Sequence, residues 1–237
     1  MLGTVAIEIN ADKTSVEVHP KNVKRIPQIG EVYDLVEIET DRGTTVCHYY
    51  AAKEARNGVV MVGGAGGEFD TPARGLYPRL AQDLRNDRIS TVRVHCRSPT
   101  SLVESVVDTV LGMNFLKSQG ISAIGLVGYS FGGAVAIQAA GDPAVRAVVA
   151  VAVAVAVAVA ATGPVAGPPG DAALLLLHGD ADTVVSPRSS EEIYRRAREP
   201  KRLVIYEGAG HTLDEEVEGL DVEVKAWLLK HLPGTLV

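Results

Sequence analysis

Cysteine is scarce in this chain. Cys47 and Cys96 are the only two among 237 residues. Two thiols make no disulfide framework for a protein of this length. They read as reduced, partly buried side chains. Neither lies in a turn that would expose it, which argues against a cysteine nucleophile. An excess of basic charge is also missing. Lys and Arg total 23 against 29 Asp and Glu, a net charge of −6. The chain therefore has no electrostatic footprint for nucleic acid, and simple docking on an anionic membrane is disfavoured. The start, MLGTVAIEINADKTS, lacks a basic segment followed by a long apolar core. No signal peptide is expected there, and a cytoplasmic location is. The one long apolar stretch, 147–161, is only valine and alanine around its middle. It is shorter than the roughly 20 residues that a spanning helix needs.

What the chain does have is an ordinary globular composition, 46% hydrophobic and 22% charged, on a length that can bury a core without disulfides. No domain boundary is visible, so residues 1–237 read as one domain, with 1–30 as an N-terminal strand extension. Residues 5–9 and 15–18 alternate apolar and polar around Asn10-Ala11-Asp12-Lys13 and predict a hairpin. Residues 32–38 and 44–50 predict two more strands around Thr40-Asp41-Arg42-Gly43. The pattern then changes. Strands at 58–62, 91–95, 123–127, 146–152, 174–177 and 203–206 alternate with helices at 77–84, 102–116, 132–140 and 222–232. That alternation predicts an α/β protein with a mainly parallel sheet covered on both faces. Ligands bind such sheets beyond the carboxyl ends of the strands. The strict Val-Ala alternation over 151–160 is too long for one strand. The Gly/Pro-rich segment 163–170 reads as a loop.

Gly128-Tyr129-Ser130-Phe131-Gly132 follows a buried strand and precedes a small-residue helix. This is the context that the G-x-S-x-G pattern requires. The glycines leave room for a strained turn that lifts the serine hydroxyl clear of the sheet. The helix start beside it favours negative charge. A plain strand-to-helix turn with a capping serine is the bland alternative. Serine needs a base within hydrogen-bond reach. His211 sits in Glu207-Gly208-Ala209-Gly210-His211-Thr212, a glycine-flanked loop after a strand. His19, His48 and His231 suit surface or packing roles, and no loop glycines frame His95. An acceptor must fix the base's tautomer. Asp180 and Asp182 both follow the strand 174–177, in His178-Gly179-Asp180-Ala181-Asp182.

These motifs resemble those of the α/β-hydrolase family: the nucleophile elbow at Gly128–Gly133, the acid loop at His178–Asp182 and the histidine loop at Gly210-His211. The resemblance runs from about Val32 to the C-terminus. It is nearer to small dienelactone-hydrolase-like and acyl-peptidase-like esterases than to lipases. The resemblance selects Asp182 as the acid and leaves Asp180 to satisfy turn amides. The order Ser130, Asp182, His211 is the family's order. It further implies a central sheet of about eight strands, no metal or organic cofactor, and an oxyanion hole after the third core strand. There the chain reads Val62-Gly63-Gly64-Ala65-Gly66-Gly67, which puts one donor at the Ala65 amide, with Gly64 as the alternate, and the second at Phe131. A histidine often opens that motif in the family, and Gly63 stands here instead. Read as a phosphate loop, the run lacks the following Lys-Ser/Thr. Many family members insert a helical cap after the sixth strand, and the short gap here predicts an open site. Glu68, Asp70, Arg74 and Arg97 follow strand ends near that mouth. Glu68 and Arg97 are the candidate substrate-binding residues, although solvated loop charge is the commoner fate of such side chains.

The expected activity is serine hydrolysis of an ester-type bond in a small-molecule acyl substrate. A peptidase, thioesterase or acyltransferase with the same triad is the nearest alternative, and a non-catalytic binding protein on this fold is another. The N-terminal strands either extend the sheet or offer an edge for a homo-oligomer.

Overall fold

The computed structural model describes residues 4–9, 14–66, 69, 71–154 and 171–234. The N-terminal hairpin is present as β1 (Val5–Ile9) and β2 (Thr14–Val18), paired antiparallel with Val5 opposite Val18; its turn lies outside the described residues. The two strands form a sheet of their own.

The main sheet holds nine strands. In chain order they are β3 (Pro20–Pro27), β4 (Asp34–Thr40), β5 (Gly43–Tyr50), β6 (Asn57–Val62), β7 (Ile89–His95), β8 (Ala123–Tyr129), β9 (Val145–Val151), β10 (Ala173–Gly179) and β11 (Lys201–Tyr206). The spatial order is β11-β10-β9-β8-β6-β7-β5-β4-β3. Pairing is parallel from β11 to β7 and antiparallel from β7 through β5 and β4 to β3.

The central strands are nearly continuous apolar runs, and every residue of β6, β8 and β10 is buried. Parallel strands need this because helices cover both of their faces. Alternation decides which helix each side chain meets. Val60, Val62, Val92 and Val94 point into a core shared with α2 (Leu102–Ser118), α3 (Phe131–Ala139) and Ile193 of α4 (Arg188–Arg196). Val59, Met61 and Ile89 point into a second core, shared with α1 (Leu76–Asn86) and α5 (Val217–His231). No helix among the described residues is long and apolar enough to cross a membrane.

Two elements add to the sequence reading. The sheet of about eight strands that was expected has nine among the described residues, because β3 adds an outer edge. Its sequence, PKNVKRIP, is mostly exposed and begins and ends in proline. Proline and lysine suit an edge strand, where one row of backbone groups has no neighbour. They also erase the alternating pattern that would announce it. The helix α4, RSSEEIYRR, was not expected either. Only Ser190 and Ile193 of it are buried, so it has no apolar stripe. The strand expected at 146–152 is β9. The rest of the Val-Ala run and the Gly/Pro-rich segment, within 155–170, and with them the question of a cap, lie outside the described residues. No cap stands among those that are described.

Candidate active site

The strand β8 ends in a sharp turn at Ser130. This residue holds φ 53° and ψ −115°, a region that non-glycine residues rarely occupy and that costs backbone strain. The Ser130 amide donates to the Val151 carbonyl at 2.7 Å, which pins the turn to the end of β9. Both flanking glycines are required. A Cβ on Gly128 would lie 2.0 Å from the Gly132 carbonyl oxygen, and one on Gly132 would lie 2.3 Å from the Gly63 oxygen. The same contact presses the end of β6 and its glycine run against the first turn of α3.

The acid loop follows β10. Asp182 Oδ1 accepts from the Val184 and Val185 amides, both at 2.8 Å. The Asp182 Oδ2 accepts from His211 Nδ1 at 2.7 Å. His211 Nε2 in turn faces Ser130 Oγ at 3.1 Å. The three side chains expected from the sequence therefore stand in one hydrogen-bonded line, although they come from three separate strand ends. Asp182 is buried. Burial by itself would raise its pKa, but the bonds from His211 and from the Val185 and Val184 amides outweigh it and hold the carboxyl below its ordinary value. Asp180 takes the other role expected of it and accepts from the Gly208 amide at 2.7 Å.

The histidine loop is built into its neighbours. The Ala181 amide donates to the Ala209 carbonyl at 3.1 Å. There the loop crosses β10 so closely that a Cβ on Gly179 would lie 2.0 Å from that carbonyl oxygen. On the other side the Ala73 amide donates to the Thr212 carbonyl at 2.7 Å, and the Arg74 amide to Asp214 Oδ1 at 3.0 Å. Glu215 Oε2 accepts from the Gly210 amide at 3.1 Å. The imidazole is thus held from both flanks.

Solved structures share this architecture. XC6422 from Xanthomonas campestris, described as a serine hydrolase without a lid, aligns with a TM-score of 0.68 at 18% identity, over 89% of this chain and 100% of its own. A dienelactone hydrolase from Anabaena variabilis aligns at 0.67 and 19% identity, over 90% and 99%. Est1E from Butyrivibrio proteoclasticus aligns at 0.66 and 16% identity, over 89% and 98%. The chain has the α/β-hydrolase fold. A family model described as serine aminopeptidase, S33, matches residues 168–218, the segment that carries the acid loop. A search among curated proteins finds no match.

The expected oxyanion donors lie on two neighbouring elements. Phe131 opens α3, and first-turn amides have no carbonyl within their own helix to donate to. Gly64 is buried and Ala65 exposed, on the loop that abuts the elbow. Arg97 is engaged within the protein. Its side chain does not stand free at the mouth. Its Nε donates to Asp108 Oδ1 at 2.6 Å, one terminal nitrogen to Glu104 Oε2 at 3.0 Å, and the other to the Arg42 carbonyl. It is a structural arginine of the β7–α2 connection, held there because Asp108 is fully buried and needs a counterion. Glu68 and Asp70 lie outside the described residues. Among the described residues no group of three or more side chains is arranged to hold a metal ion.

The sequence reading missed a participant at the acid. His178, the last-but-one residue of β10, is fully buried, and its Nε2 lies 3.0 Å from Asp182 Oδ2. Its signal was present: it is the one polar side chain in the buried run Leu174–Gly179, immediately ahead of the acid loop.

Proposed function

We propose that this chain is a serine hydrolase that cleaves a carboxylic ester-type bond through an acyl-enzyme. The observation that carries the proposal is the line Ser130 Oγ, His211 Nε2, His211 Nδ1, Asp182 Oδ2, with steps of 3.1 and 2.7 Å. In this reading Ser130 Oγ attacks the substrate carbonyl while His211 Nε2 takes its proton. Asp182 keeps the other ring nitrogen protonated and stabilises the imidazolium. The Phe131 amide and the Ala65 or Gly64 amide hold the oxyanion, a role that typically contributes about 3–4 kcal/mol per donor. The imidazolium then protonates the departing alcohol. Water, deprotonated by His211, attacks the acyl-serine and releases the acid. The reaction needs no cofactor, and nothing in it depends on a membrane or nucleic acid. Free, buried Cys47 and Cys96 suit a reducing cytoplasm.

A fluorophosphonate probe tests this. It should label the wild-type protein on Ser130, and Ser130→Ala should abolish labelling without lowering thermal stability. Labelling that persists in the variant removes Ser130 from the role. The serine aminopeptidase model over residues 168–218 favours one second reading, cleavage of an amide with the same residues. Paired ester, thioester and amide substrates of one acyl group separate these chemistries by their kcat/KM ratios.

A further inference from the structure

We infer that His178 and Ser190 are positioning residues that extend the triad into a chain of five side chains and lock the carboxylate of Asp182 for His211. The inference rests on the serine-hydrolase reading for its effect on rate, though not for its geometry. His178 Nε2 faces two acceptors, Asp182 Oδ2 at 3.0 Å and the Val185 carbonyl at 2.9 Å. Neither acceptor carries a proton to give when the carboxylate is ionised, so this nitrogen carries the hydrogen. His178 Nδ1 lies 2.7 Å from Ser190 Oγ on α4, and Ser190 is itself fully buried. The hydroxyl fixes the ring's rotation, because a flipped ring would leave both nitrogens mispaired.

A carboxylate offers about four acceptor sites. On Asp182 four donors fill them: the Val184 and Val185 amides on Oδ1, and the two imidazoles on Oδ2. Two histidines therefore converge on one oxygen. Val185 both donates to Asp182 through its amide and accepts from His178 through its carbonyl. The turn 182–185 is thus closed around the His178 ring. A buried histidine with a merely structural duty would be satisfied by the Val185 carbonyl alone. This one shares its hydrogen between that carbonyl and the oxygen that orients the base. Without it, Oδ2 has one partner, and the carboxylate can rock about its Oδ1 anchors and lengthen the bond to His211.

The test uses His178→Phe, which keeps a buried ring but has no donor, and His178→Gln, whose terminal amide reaches the position of Nε2. Ser190→Ala is a milder second variant should the phenylalanine prevent folding. With an ester substrate, His178→Phe should lower kcat by about 10- to 100-fold, by analogy with the loss of an outer-shell partner at a metal site, with KM unchanged. His178→Gln should recover most of kcat, and Ser190→Ala should fall between wild type and His178→Phe. The low-field Nδ1 proton of His211, followed by NMR, should broaden or exchange faster in His178→Phe and Ser190→Ala. That signal reports the bond between His211 and Asp182 whether or not the protein turns over an ester. Failure of the wild type to hydrolyse or to label would therefore count against the proposed function alone. An unchanged Nδ1 resonance in folded His178→Phe or Ser190→Ala, or a kcat equal to wild type, overturns the inference.

Discussion

His48 shows how one side chain can tie stability to pH. Its ring is stacked between Tyr33 at 3.9 Å and Phe69 at 3.8 Å, and its buried Nδ1 has no hydrogen-bond partner among the described residues. Burial first, then the nearby Arg93 and His95, lower its pKa from 6.5 to about 4. Between those values the unfolded chain binds a proton that the folded chain refuses. Stability from this residue is therefore intact above pH 6.5 and lost as pH falls toward 4. His48→Phe should flatten the pH dependence of the urea midpoint across that window while keeping the stack. Parallel curves for variant and wild type would show that His48 contributes nothing to it. At the same scale, residues of the site differed in how legible they were. Ser130 stands between glycines that close backbone contacts require, and the His211 loop carries Gly208 at a positive φ; those glycines are visible in the sequence. Asp182 and Asp180 were separable only by resemblance, because two aspartates two residues apart look alike until their partners are seen. His178 shows in the sequence only as one polar side chain in an apolar run, and its partners emerge only from contacts; the bonds of Arg97 were hidden because Asp108 lies on another element.

The nucleophile elbow is the element on which the site depends most. Its glycines are fixed by backbone atoms, which cannot move aside as a flexible side chain can. Gly132→Ala would force a methyl group to within 2.3 Å of the Gly63 oxygen. Overpacking of this kind costs about 1–3 kcal/mol, and here it also pushes the glycine run after β6 away from the Phe131 amide. The variant should lower the urea midpoint and lose more kcat than KM, since the displaced groups matter most to the oxyanion. A fully active, equally stable Gly132→Ala would contradict the close approach. Elements were legible from sequence where burial imposed a pattern. The strands β6, β8, β9 and β10 announce themselves as largely apolar runs because helices cover both faces. The edge strand β3 and the helix α4 bury too little to leave a periodic mark.

Across the whole molecule, the parallel half and the antiparallel half are held differently. The parallel half is sealed by helices on both faces. The antiparallel flank is joined to it by a polar network, in which Arg97 bonds Asp108 and Glu104, Glu104 pairs with Arg42, and Thr45 Oγ1 donates to Asp108 at 2.5 Å. Burial raises the Asp108 pKa against the bonds from Thr45 and Arg97 that lower it. Removing the cation leaves a buried carboxyl without its partner. Arg97→Met should therefore destabilise the protein by about 3–5 kcal/mol, read as a lower urea midpoint at unchanged slope, with KM for the folded protein unaltered. A raised KM with unchanged stability would return Arg97 to the substrate. The central claim concerns the whole assembly, because strand ends far apart in the chain must meet for a serine to become a nucleophile. Rapid acid quench during turnover of p-nitrophenyl acetate, followed by mass spectrometry of the peptides, addresses it most directly. One acetyl group per chain on Ser130 is the result expected. Turnover with an unmodified Ser130, or with the acetyl group on another residue, would contradict it.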